Sequence, residues 1–152
     1  MRYWLMKSEP SEQSVDDLAA LPGARTPWFG VRGYAARNFM RDDMTIGDLA
    51  FFYHSSCPEP GIVGIVKIVT KSYPDSSQFD PQSHYYDPKS SPDNPRWMLV
   101  DVELVRKLPL VSLASLRENP SLAGMRVLQK ANRLSITPVE STEWDEIHRM
   151  FA

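Results

Sequence analysis

The sequence contains a single cysteine, Cys57, among 152 residues. One thiol cannot close an internal disulfide or supply a multi-cysteine zinc site, so a reducing, cytoplasmic compartment is expected. Long apolar runs are also lacking. None approaches the ~18 residues that a membrane span needs, and Met1 to Ser8 turns polar too soon for a signal peptide, so a soluble protein is expected. There is no excess of basic charge: 17 Lys+Arg stand against 19 Asp+Glu, a net charge of −2. That balance argues against a broad basic surface that coats nucleic acid, and any such site must be local. Catalytic signatures are missing as well, with no Gly-x-Ser-x-Gly elbow, no His-Glu-x-x-His zinc helix and no phosphate-cradling loop. The aspartates after Tyr73 lack the mid-loop glycine and closing glutamate of a calcium loop, so no metal and no cofactor is expected. No internal repeat or low-complexity tract is present.

What is there concentrates between Trp28 and Ser56. Trp28 is followed by Gly30 and Gly33, which permit close backbone approach or positive φ, and then by a short amphipathic run with Arg37, Asn38 and Arg41. From Arg25 to Arg41 there are four arginines and no acid, a local basic excess in a slightly acidic chain. Ile46-Gly47-Asp48 turns into the aromatic strand Leu49 to Tyr53, which stops at His54-Ser55-Ser56.

The remaining pattern is mixed. Arg2 to Lys7 reads as a strand buried on both faces, stopped by Pro10. Ser14 caps a short helix that Pro22-Gly23 terminates. Ile62 to Val69 is nearly continuous β-branched sequence and pairs with Leu49 to Tyr53 as a hairpin. A proline-punctuated segment from Tyr73 to Pro95 carries Tyr73, Phe79, Tyr85 and Tyr86, too many aromatics for a solvated linker, so it is expected to fold against the body. Trp97 to Arg106 resumes strand character. Ser112 caps another helix, with Val111 and Leu116 placed as a hydrophobic staple and Asn119-Pro120 as its end. A last strand is expected from Leu134 to Thr137 and a closing helix from Thr142 to Phe151. At this length residues 1–152 fit one domain, which buries roughly 70% of its unfolded surface. Strands interrupted by short helices without regular βαβ alternation predict an α+β fold, a curved mixed sheet or small β-barrel surrounded by short helices.

Polar residues at strand ends can converge on one mouth, where ligands bind. Lys7, Ser8 and Glu9 end the first strand, His54 and Ser55 end the second, and Arg133 precedes the last. Trp28 is either a core anchor or a flat platform on which a base stacks, worth about 1 to 3 kcal/mol. A Trp28→Ala substitution is then expected to abolish stacking and leave the fold intact. Asn38 is either a helix-surface amide or a reader of a base edge through its paired donor and acceptor. Arg32, Arg37 and Arg133 are surface arginines or phosphate clamps. Glu9 with His54 could form an acid/base pair and Ser8 or Ser55 a nucleophile, which keeps an enzyme acting on a nucleoside or nucleotide as an alternative. A protein-interaction module using the Tyr85-Tyr86 loop is the other.

Assembled in order, these segments resemble the EVE domain family of the PUA-like superfamily over nearly the whole chain. The resemblance rests on Tyr3-Trp4-Leu5-Met6-Lys7-Ser8-Glu9-Pro10, Trp28-x-Gly30-Val31-Arg32 leading to Ala36-Arg37-Asn38, and Gly47-Asp48 leading to Phe52-Tyr53-His54-Ser55. Tyr73-Pro74-Asp75, Tyr86-Asp87-Pro88, Pro95-Arg96-Trp97 and Arg133-Leu134-Ser135 continue it. It implies a PUA-like barrel with a central pocket and a nucleic-acid partner, DNA or RNA, whose base is flipped or single-stranded and in some members is a modified cytosine. YTH domains look similar in outline, which implies Lys7, Ser8, Trp28 and Arg133 at the pocket and Trp97 as a second aromatic wall. Phe29 stands where many relatives carry an acid and Gly33 where many carry asparagine. The implied function is non-catalytic recognition of a modified base.

Overall fold

The computed structural model describes residues 1–130 and 132–151. Strands β1 (Tyr3–Ser8), β2 (Arg25–Pro27), β3 (Leu49–His54) and β4 (Gly61–Ile68) enter one sheet. Two short strands, β5 (Tyr73–Pro74) and β6 (Met98–Leu99), pair separately, and β7 (Asp101–Ser112) and β8 (Ile136–Val139) complete the large sheet in the order β2-β7-β4-β3-β1-β8. β1 and β3 run parallel, and the other pairings are antiparallel.

The edges β2 and β8 do not pair, so among the described residues the sheet is curved and open, and the closed-barrel alternative is corrected to that form. Each edge carries a proline, Pro27 or Pro138, whose missing N–H removes a ladder donor and protects the edge. Curvature comes from register breaks, one between β3 and β4 at Phe52/Tyr53 and two between β4 and β7. One of these explains why β7 outruns its expected end at Arg106. Pro109 sits in the bulged stretch between the Lys107 and Val111 pairings, where no ladder donor is needed.

Among the described residues four α-helices cover the sheet. α1 (Val15–Ala20) begins in a reciprocal capping box, with Asp17 N–H donating to Ser14 Oγ at 3.0 Å and Ser14 N–H to Asp17 Oδ2 at 2.9 Å. α2 (Tyr34–Asn38) continues into a wider π turn, Phe39–Asp43. α3 (Leu113–Glu118) is capped by Ser112, with Val111 and Leu116 both buried as the staple requires. α4 (Ser141–Phe151) inserts Trp144 between Tyr3 and Phe51, at ring-centroid distances of 4.4 and 4.1 Å.

β1 and β3 show no alternation because both faces are covered. Trp4, Met6, Ala50 and Phe52 pack on one face with Leu18 and Met40, and Leu5, Phe51 and Tyr53 on the other with Leu116, Trp144 and Ile147. The proline-rich segment folds against the body, as expected. Asp75, Asp80 and Asp87 each accept the N–H two residues on, from Ser77, Gln82 and Lys89, all at 2.9 Å. Three such Asx turns fold the segment locally. Fully buried Gln78 plugs its centre, donating to the carbonyls of Asp75 and Trp97 (2.7 and 2.8 Å) and accepting from Trp97 N–H (3.0 Å) and Ser90 Oγ (2.5 Å).

Candidate functional site

Parallel pairing sets Ser8 opposite His54, so both strands release their polar ends at one end of the sheet. Ser55 N–H donates to Ser8 C=O at 3.0 Å, and Lys7 N–H reaches Ser135 C=O at 2.8 Å just before β8. Beside these ends lies a cavity of about 660 Å³. Lys7, Ser8, Glu9 and Ser55 line it from the strand ends, Trp28 and Arg32 from the loop after β2, and Arg133 from the approach to β8. The volume is within the range of small-ligand sites.

Trp28 forms the buried wall, 6% exposed and edge-on to Phe52 at 5.5 Å. Its ring therefore serves core and cavity together, and the expectation that Trp28→Ala leaves the fold intact is corrected: truncating so buried a ring costs about 3 to 5 kcal/mol. Burial pushes the Lys7 ammonium below the ordinary lysine value, and no anion pairs with it among the described residues. Ser8 Oγ donates to Gln13 C=O at 2.6 Å, which commits its proton and leaves its lone pairs to the cavity.

Four expected site residues are not on the cavity lining. Asn38 Oδ1 accepts both Nε and Nη2 of Arg37 (3.0 and 2.7 Å), and Arg37 Nη1 donates to Arg96 C=O at 2.9 Å. The Arg37 guanidinium also lies over the rings of Tyr34 and Trp97, at 4.7 and 5.9 Å. Trp97 is buried, stacked on Tyr34 at 5.0 Å, and donates its Nε1 proton to Asp87 at 2.7 Å. It packs the long loop; it does not wall the cavity. His54 Nε2 accepts the first amide of α1, Val15 N–H, at 3.1 Å. That bond requires a neutral ring, and burial lowers the His54 pKa against the opposing pull of Asp16 and Asp17. Glu9 faces the cavity while His54 faces the helix, so the two do not form an acid/base pair.

Arg32 lines the cavity, yet its guanidinium is spent. Its five N–H vectors are met by Tyr85 C=O (3.3 Å from Nε, 2.7 Å from Nη2), Ser77 Oγ (3.2 Å), Val31 C=O (2.9 Å) and Asp75 Oδ2 (3.3 Å). It clasps the long loop to the Trp28 loop, and its expected phosphate contact is revised accordingly. Asp75, 1% exposed, anchors that clasp and also accepts Gly30 N–H at 2.8 Å.

The cavity has further walls that the sequence did not point to. Tyr85 covers Gly30, donates its hydroxyl to Glu12 (3.0 and 3.1 Å to the two oxygens) and meets Phe29 edge-on at 5.8 Å. Burial, then the Glu12 bond, raises the Tyr85 pKa, so the phenol stays a donor. Glu12 and Gln13 also face the cavity, as do two residues the sequence had marked, Phe29 as a departure from many relatives and Ser135 in the Arg133-Leu134-Ser135 run. The surplus of aromatics in the proline-rich segment was the one available signal for Tyr85.

A family model described as EVE domain matches residues 2–150. The chain belongs to the EVE domain family. Human thymocyte nuclear protein 1 is 45% identical over 160 residues, spanning 94% of this chain and 71% of that protein. The crystal structure of the human protein in complex with 5-methylcytosine-containing DNA superposes with a TM-score of 0.93 at 43% identity, covering 99% of this chain and 97% of that one. A Pseudomonas putida protein superposes at 0.94 with 46% identity over 99% of each chain. An ASCH protein from Zymomonas mobilis, 7% identical with a TM-score of 0.56, shares the fold alone. The EVE match carries the α+β, PUA-like architecture, and no helix among the described residues is long and apolar enough to cross a membrane.

Proposed function

We propose that this EVE domain is a non-catalytic reader of a modified base, 5-methylcytosine first among candidates, that enters the cavity from single-stranded or locally opened nucleic acid. The observation that carries this is the near-complete superposition on a human relative solved with 5-methylcytosine-containing DNA. The site supports it chemically. Glu9 and the lone pairs of Ser8 offer acceptors to an exocyclic amine, Trp28 and Tyr85 offer ring surfaces, and Lys7 and Arg133 offer cations. The separation of Glu9 from His54 favours binding over acid/base chemistry. A reducing, cytoplasmic setting suits the lone thiol of Cys57.

A buried methyl contributes about 0.8 kcal/mol, so shape alone yields about fourfold preference over cytosine. The test is binding of purified protein to short DNA and RNA, single- and double-stranded, carrying cytosine or 5-methylcytosine. Preference for the methylated strand, reduced in the Trp28→Phe variant, is the expected result. Equal binding to both bases at every salt concentration would defeat the reader assignment, and product formation from the oligonucleotide would defeat the non-catalytic one.

A further inference from the structure

Two of the three arginines expected on phosphates, Arg32 and Arg37, are engaged within the protein. The backbone that carries the base must therefore find its cations elsewhere. From Asn119 to Val139 the chain has no acid and three cations, Arg126, Lys130 and Arg133. All three are exposed, and among the described residues no hydrogen bond or ion pair engages their side chains.

The loop that holds them is a built platform. Leu122, Met125 and Val127 anchor it in the core under α3 and α4. Gln129 Nε2 ties it across to the carbonyls of Ala123 (3.2 Å) and Met125 (3.1 Å). The Asn132 amide donates to Arg126 C=O, and Asn132 Oδ1 accepts Leu134 N–H at 2.9 Å. These bonds bring the Arg126 end of the loop back beside Arg133, which lines the cavity. Glu9 and Glu12, both exposed, come from the turn after β1 on the cavity lining, and Glu12 is held in place by Tyr85.

We infer that residues Arg126, Lys130 and Arg133 form a phosphate track along which the strand presenting the base runs. This rests on the reader assignment above. Phosphates laid over the turn after β1 would meet two carboxylates, whereas the segment from Asn119 to Val139 carries only cations. The partner that fits is one nucleic-acid strand whose phosphates flank the bound base along that segment.

The test is the salt dependence of binding, from about 50 to 300 mM, of the full chain to a single-stranded 5-methylcytosine oligonucleotide. Each lost phosphate contact lowers the slope of log K against log salt by about 0.7. Arg126→Ala with Lys130→Ala is expected to lose about 1.4 of slope and roughly tenfold in affinity at low salt, with the methylated-to-unmethylated ratio and the melting temperature unchanged. An unchanged slope in the double variant, or a changed base ratio, would overturn the track. Wild-type protein that binds no oligonucleotide would overturn the reader assignment and the track together, whereas intact base preference with an unaltered slope removes the track alone.

Discussion

At Gly30 the backbone takes φ +83°, and the Tyr85 ring lies where a side chain would project: an added Cβ would stand 2.6 Å from the ring. Gly30 is thus the floor on which one cavity wall rests, and Asp75 below it fixes the same loop through the Gly30 amide and Arg32. Gly30→Ala is expected to cost about 1 to 2 kcal/mol from the left-handed backbone alone. It should also break the Tyr85–Glu12 bond, seen as a tyrosine near-ultraviolet signal that shifts towards solvent. Gln78 carries a different burden, because four hydrogen bonds converge on one buried amide. Gln78→Leu keeps the volume but strands the Trp97 N–H and C=O, and chemical denaturation should register a loss of about 3 kcal/mol. The surface pair Arg25–Glu103, by contrast, is exposed on the arginine side, and its removal should move stability by less than about 1 kcal/mol.

The elements differ in how they are held. α1 and α3 are too short to persist alone, and each depends on its serine cap and on the apolar side chains it buries. Ser14→Ala should cost about 1 kcal/mol and loosen the turn that carries Glu12 and Gln13 into the cavity. α4 is fastened by one ring, Trp144, stacked between β1 and β3 through Tyr3 and Phe51. Trp144→Ala is expected to lose about 3 to 5 kcal/mol in urea unfolding. Methylated-oligonucleotide affinity of the folded fraction should persist, since α4 does not line the cavity.

Across the whole molecule, the sheet separates two cores and the cavity opens where its parallel pair ends. His54 ties that end to α1, and burial has lowered its pKa. The neutral ring is the form the fold accepts, so its contribution is complete above the ordinary histidine value of about 6.5 and is lost as the pH falls through the lowered folded value. Stability measured by urea at stepwise pH should decline below about 6.5, and His54→Gln, which can still accept the Val15 amide, should flatten that decline. A decline equally steep in the variant would assign it to other groups.

The local pattern by itself determined most elements. The doubly buried β1 and β3, the β-branched β4, the Ser14 and Ser112 caps and the Val111–Leu116 staple are all readable because propensity, capping and burial periodicity act over a few residues. It also marked Lys7, Ser8, Glu9, Ser55, Trp28 and Arg133 as strand-end and loop residues that a curved sheet could bring together, and these line the cavity. Only tertiary structure decided the rest. Whether the sheet closes depends on strands distant in sequence, and whether Pro109 stops β7 depends on the register of β4. Arginine chemistry is the same on a phosphate and on a carbonyl, so nothing local separates Arg32 and Arg37, consumed by Tyr85, Asp75, Asn38 and Arg96, from Arg133. Tyr85 became a cavity wall because Asp75 and Arg32 fold a segment some fifty residues downstream onto a glycine that has no side chain to refuse it. Side-chain partners at that separation are set by the packed chain, and a linear pattern carries no record of them.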